Sequence, residues 1–357
     1  MKSILYWFVL IVSIAVIVSS CAKSDDSKTA STDNTTSSSD DSSDNSTTTD
    51  DNSTTTTTTT SDNSSGSGVF VAVGFSGTIV RSTDNGSSWE NATSPTSNDL
   101  LGVTFGNNTF VAVGLSGTIV RSTDNGSSFD NVTSPTENNL MGVGFGNNTF
   151  VAVGYSGNIV RSTDNGSSWD NVTSTTSNNL VGVTFGNNTF VAVGWEGIGG
   201  SGTIVRSTDN GSSWDNATSP WALGDGESLY RVGFGNNTFV GVGSDGSIVR
   251  STDNGSSFDN ATSPTGNELM GVGFGNNTFV VVGLSSGNIV RSTDNGSSFD
   301  NVTSPTGNDL KGVGFGNNTF VVVGLSGNIV RSTDNGSSFD NVTSPTSNDL
   351  WEVGFSE

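Results

Sequence analysis

Eight residues, Ser-Thr-Asp-Asn-Gly-Ser-Ser followed by Trp or Phe, occur seven times in this chain, first at residues 82–89 and last at residues 332–339. Aligned on the Asp, the copies fall at Asp84, Asp124, Asp164, Asp209, Asp253, Asp294 and Asp334, spaced by 40, 40, 45, 44, 41 and 40 residues. A period near 40 made of short apolar runs is the mark of a β-propeller, where each repeat forms one blade that cannot bury both its faces alone. Within one repeat, "LMGVGFG" (140–146), "TFVAVG" (149–154), "NIVRST" (158–163) and "SWDNVTS" (168–174) read as four strands, here A to D with A innermost. An Asn-Gly pair between alternating strands is a strong hairpin signal. Gly142 and Gly144 suit strand A, because seven such strands crowd at the axis.

The ends of the array predict how the ring closes. The first repeat begins at "VFVAVG" (69–74) and lacks strand A, while the chain ends on "NDLWEVGF" (348–355), a strand A with nothing after it. Together they complete one blade, and pairing them removes the open edges of an unclosed array. The expectation is an all-β protein: a seven-bladed propeller of four-stranded antiparallel blades over residues 68–357, closed by its N- and C-terminal strands and monomeric.

Composition removes several chemistries. The 357 residues contain no His and one Cys, which excludes His-based triads, Cys/His metal clusters and disulfides within the chain. The formal charge is −22, and the propeller region has about 25 acidic against 9 basic residues, which argues against nucleic acid or an anionic lipid surface as partner.

The lone Cys lies at the end of "MKSILYWFVLIVSIAVIVSSC" (1–21), where Lys2 and the apolar run after it read as a signal peptide. "VSSC" resembles a bacterial lipobox, implying a signal peptide over 1–20, lipidation of Cys21 and attachment to the cell envelope through the lipid. By analogy with enteric sorting rules, Ala22 after the Cys favours the outer membrane, on its periplasmic or outer surface. An uncleaved signal anchor is the alternative. Residues 22–67, rich in Ser, Thr and Asp with no aromatic, read as a disordered tether whose r.m.s. reach is about 35–40 Å.

The eight-residue motif resembles the Asp-box, or bacterial neuraminidase repeat, Ser/Thr-x-Asp-x-Gly-x-x-Trp/Phe. With the surrounding "GVGFGNNTFVAVG" the chain is most similar to propellers related to photosystem II assembly factors, and more distantly to sialidases. The resemblance implies that the box caps the turn between strands C and D, its Asp accepting turn amides and its aromatic wedged against neighbouring strands. One copy per blade makes the motif architectural. "NNT", "NGS" and "NVT" match glycosylation sequons only as by-products of turn composition.

Each blade also has one Arg (Arg81, Arg121, Arg161, Arg206, Arg250, Arg291 and Arg331). If the C–D turn pivots on Asn-Gly, each lies opposite an acid on strand D, as Arg121 does opposite Asp130, and cross-strand ion pairs are expected. A docking patch for an anionic partner, of the kind the assembly factors suggest, is the alternative.

The repeats differ chiefly after strand B (Phe75, Leu115, Tyr155, Trp195, Ser244-Asp245, Leu284, Leu325) and at the start of strand A (Leu101, Met141, Val181, Tyr230-Arg231, Met270, Lys311, Trp351-Glu352). Up-and-down topology puts B–C and D–A connections on one face, the top, and both insertions, 195–202 and 220–230, fall there. Phe75, Tyr155, Trp195, Trp221, Tyr230, Arg231, Lys311 and Trp351 are therefore the candidate binding residues, since exposed Trp and Tyr supply most hot-spot energy. The leading reading is a non-catalytic binding scaffold for a protein or glycan, without cofactor or metal. Neutral drift in tolerant loops is the bland alternative. A sialidase-like hydrolase is the catalytic alternative, but its "F/Y-R-I-P" segment is absent, which leaves a Tyr230/Glu227 pair as its one form. "GDGE" (224–227) is too small a ligand set for Ca²⁺.

Overall fold

The computed structural model describes residues 68–197, 202–221 and 227–356. Cys21, the leader, the tether, most of "GDGE" and part of each inserted loop lie outside the described residues.

Seven sheets of four antiparallel strands follow one another around a ring. Blade 2 is typical, with strand A Leu100–Gly106, B Thr109–Gly114, C Ile119–Ser122 and D Asp130–Val132. The other A strands are Leu140–Gly146, Asn179–Gly186, Leu229–Gly235, Leu269–Gly275 and Leu310–Gly316 for blades 3 to 7. Blade 1 joins the two ends: Leu350–Phe355 pairs with Phe70–Gly74, with Phe70 opposite Phe355 and Ala72 opposite Val353. Val69 and Ser356 tie the seam, the Val69 N–H donating to Ser356 Oγ at 2.8 Å and the Ser356 N–H to the Val69 carbonyl at 2.8 Å.

Strand B is apolar along its whole length because both its faces are covered. Phe110 and Ala112 turn toward blade 1, packing with Val71 and Val73, while Val111 and Val113 turn toward blade 3 and meet Leu140 and Phe150. The period of two thus feeds two different interfaces. Seven such layers, one at each junction, take the place of a central core. Burial of one such side chain contributes roughly 1.5–3 kcal/mol, so a layer outweighs any single turn contact.

The turns use residues that tolerate positive φ. Asn107 and Asn108 between strands A and B have φ of 47° and 56°, as a two-residue I′ hairpin requires. In the box between C and D, Gly126 has φ of 78°, and a Cβ there would stand 2.6 Å from Val71 Cγ2 of the preceding blade. Both sets lie on one face, since the Asn165 side-chain amide of the blade 3 box donates to Thr109 Oγ1 beside the blade 2 A–B turn at 2.6 Å.

The Arg residues sit in the expected register, Arg121 opposite Asp130 and likewise in all seven blades. The expected row of ion pairs does not form. Among the described residues only Arg81 bridges its acid, Glu90, at 2.9 Å. In six blades the Arg Nε instead donates to the box Asn carbonyl of the next blade, as Arg121 does to Asn165 at 2.7 Å. That carbonyl is fixed by the box turn, whereas the acid on strand D is exposed and surrounded by water. Glu90, one methylene longer than Asp, reaches the guanidinium that Asp does not. These arginines are interblade clasps.

Candidate binding face

Opposite the boxes, each strand A opens with a β-bulge. In blade 2, Leu100 pairs with Gly114 and Gly102 with Val113, which leaves Leu101 out of the ladder. The same shift frees Met141, Val181, Tyr230, Met270, Lys311 and Trp351. A bulge re-aims its side chain, so the most variable position of strand A is also the one that each blade turns out of its own sheet.

Two aromatic groups occupy this face. Tyr155, Trp195 and Tyr230, from blades 3, 4 and 5, meet edge to face at centroid distances of 5.9 and 6.4 Å. Phe75 and Trp351, both of blade 1, approach to 5.5 Å, and Lys311 Nζ of blade 7 stands 4.9 Å from the Trp351 ring centre. The Trp351 indole N–H is buried without a hydrogen-bond partner among the described residues. Trp221 belongs to neither group, because its ring packs over Gly202 at the junction of blades 4 and 5.

Charge on this face is unbalanced. Burial pushes the Lys311 ammonium down, while Asp309, Glu268 and Asp349 pull it up. Burial pushes the Glu268 carboxyl up against the pull of Lys311. The Tyr230 phenol is raised by burial, then by Glu268 and Asp245. Asp245, Glu137 and Glu196 are exposed. Among the described residues, the only other cation here is Arg231.

Arg231 does not point to the rim. It stands where five other blades have glycine, at a site where a Cβ on Gly142 would come within 2.8 Å of the Val181 carbonyl. Blade 1 has Glu352 there, and the two side chains bridge the axis, Arg231 Nε to Glu352 Oε2 at 3.0 Å. Arg231 Nη1 donates to the Val181 and Tyr230 carbonyls at 2.9 and 3.0 Å, and Nη2 to the Leu101 carbonyl at 3.2 Å. Burial pushes the Glu352 carboxyl up, and the Arg231 charge only partly offsets it. The pair floors the binding face. On its box side lies a channel cavity of about 360 Å³, lined by Val103, Val143, Val183 and Val313. The sequence marks Glu352 as a variable position but only Arg231 as a candidate binding residue; the available signal for the pair was that the two departures from glycine carry opposite charges.

Of the pair the catalytic alternative would use, Glu227 accepts the Ser247 hydroxyl, and burial raises the Tyr230 phenol above its ordinary value. Among the described residues, no three acidic or Cys side chains are placed to hold a metal ion.

A family model described as photosynthesis system II assembly factor YCF48 matches residues 87–357. Among solved structures, "YCF48 bound to D1 peptide" is 17% identical with a TM-score of 0.59, covering 76% of this chain and 87% of that one. YCF48 from Cyanidioschyzon merolae is 16% identical at a TM-score of 0.59, covering 74% and 92%. A nidogen/laminin complex shares the fold at 10% identity and a TM-score of 0.52, covering 81% and 98%. No curated protein matches significantly.

Proposed function

The chain belongs to the photosynthesis system II assembly factor YCF48 family, and from that premise we propose a non-catalytic module that holds a polypeptide on its B–C/D–A face. The observation that carries this reading is the concentration of difference. The box face repeats seven times almost unchanged, while Tyr155, Trp195, Tyr230, Phe75 and Trp351 gather on the other. Half-buried aromatics packed edge to face or ring to ring above a closed floor present apolar area already rigid before a partner arrives, which lowers the cost of ordering on binding. The solved structure of YCF48 bound to a D1 peptide supports a peptide as the kind of partner.

In this reading the propeller is displayed from the envelope by lipid on Cys21, with 22–67 as spacer. Mass spectrometry of the membrane-extracted chain tests that part. An acyl-modified N-terminal Cys21 is expected, and an uncleaved leader would refute it.

Binding itself is tested with Trp195→Ala, Tyr230→Ala and Trp351→Ala combined in the full chain. The variant is expected to keep its cooperative thermal transition and to lose partners from host envelope extract that the wild type retains. Equal retention would move the site to the Arg-bearing rim, and partners released by deglycosylation would make the ligand a glycan.

A further inference from the structure

The junctions between blades contain their own control experiment. The residue just before strand A accepts a hydrogen bond from the B–C turn of the preceding blade. Asp99 takes the Ser76 N–H at 2.8 Å, Asp309 the Ser285 N–H at 2.9 Å, and Asp349 the Ser326 N–H at 2.7 Å. At two other junctions a neutral residue makes the same bond: Asn139 takes the Ser116 N–H at 2.9 Å and Asn179 the Ser156 N–H at 3.0 Å. The turn needs an oxygen there and is indifferent to its charge. Acid nonetheless occupies this position at four successive junctions, leading into blades 6, 7, 1 and 2, as Glu268, Asp309, Asp349 and Asp99. The three neutral junctions lead into blades 3, 4 and 5, the blades that bear Tyr155, Trp195 and Tyr230.

At this one position the face is divided into a neutral half that bears the aromatic group and an acidic half centred on Trp351, while the exposed Glu137, Glu196 and Asp245 leave the aromatic half anionic as well. The chain shows which group the acidic half holds, since its own Lys311 ammonium sits over the Trp351 ring at 4.9 Å, drawn by Asp309, Glu268 and Asp349. One lysine against these carboxylates leaves the half anionic, and the Arg231 charge is already matched by Glu352.

We infer that the partner is a cationic polypeptide segment, apolar or aromatic residues seating on Tyr155, Trp195 and Tyr230 and Lys or Arg side chains reaching the carboxylates around them and the acids of blades 6, 7, 1 and 2. This rests on the binding face proposed above and adds the sign and layout of its ligand. Lys or Arg on the partner would gain the carboxylates that Lys311 leaves unmatched.

The test uses fluorescently labelled full chain on an array of random-sequence peptides of fixed length, sorted by net charge. Three proteins are compared: wild type, the aromatic triple variant, and Asp99→Asn/Glu268→Gln/Asp309→Asn/Asp349→Asn. The neutralised variant is expected to keep a single cooperative transition, because Asn139 and Asn179 already make the same turn bond, with a midpoint lowered by the loss of the counter-charges around Lys311. Wild type should select peptides enriched in Lys and Arg beside apolar residues, with binding weakened by salt. The neutralised variant should bind those peptides about tenfold more weakly. Selection of neutral or acidic peptides, or undiminished binding by the neutralised variant, would overturn the inference. If the aromatic variant alone loses binding, the face stands and its charge preference falls. Absence of binding to any peptide defeats both.

Discussion

Asp124 shows what one box carboxylate does. It accepts the Ser122 hydroxyl at 2.7 Å, the Ser128 N–H at 3.1 Å and the Ser128 hydroxyl at 2.6 Å, while Ser122 Oγ receives the Gly126 N–H at 2.9 Å. The turn is a closed network of short-range donors around one anion, so Asp124→Ala strands several of them. A loss of about 1–3 kcal/mol is expected, read by urea unfolding. In Asp164 the Ser168 hydroxyl is the strongest influence, then its amide, and the carboxyl lies at about 2. In Asp209 and Asp334 burial, the largest single influence, pushes up, but the hydroxyl and amide donors together still hold the carboxyl at about 2. A folded-state pKa below the unfolded value means stability that is present above about pH 4 and lost as pH falls toward 2. Circular-dichroism melts between pH 5 and pH 2 should therefore show a steep fall in midpoint, and Asp164→Asn should remove part of the slope. This network was legible in the motif because every partner lies within four residues. The direction of Arg121 was not, because its acceptor, Asn165, is 44 residues away in the chain and belongs to another blade.

At the scale of strands, two devices separate what alternation reveals from what it hides. Strand B and the A–B hairpin follow from period and turn residues, and the structure has both. The bulge that frees Leu101 and its six equivalents does not show in a run such as "LLGVTFG", since a one-residue slip changes nothing in composition. The axial pair adds a second case. Arg231→Met alone leaves Glu352 half-buried without its counter-charge, and a loss of about 1–3 kcal/mol is expected. The double variant Arg231→Met/Glu352→Leu should recover most of it, since paired charges in such a site pay a desolvation cost that apolar neighbours do not. A double-mutant cycle by denaturant unfolding reads both. The clasp predicts a contrast between equivalent residues. Arg206 Nε is buried without a partner among the described residues, whereas Arg121 Nε donates to Asn165. Arg121→Lys should therefore lower the melting temperature more than Arg206→Lys.

The whole ring depends on one seam. Removing residues 349–357 would uncover Phe70, whose ring meets that of Phe355 at 4.7 Å, and would leave the inner edge of strand B in blade 1 without a partner. The truncated chain is expected to lose its single cooperative transition and to associate through the open edge, visible by size-exclusion chromatography. A circular permutant with its new ends at an A–B turn should instead stay monomeric, because the seam becomes continuous chain. The near-identity of the boxes has a further consequence, for orientation. A partner recognising one box would meet seven equivalent poses and gain a statistical term of RT ln 7, about 1 kcal/mol with RT near 0.59 kcal/mol, but could not be held at a defined azimuth. On the opposite face, where Trp195 and Lys311 each occur once, a partner has one pose, and the propeller can act as a pointer.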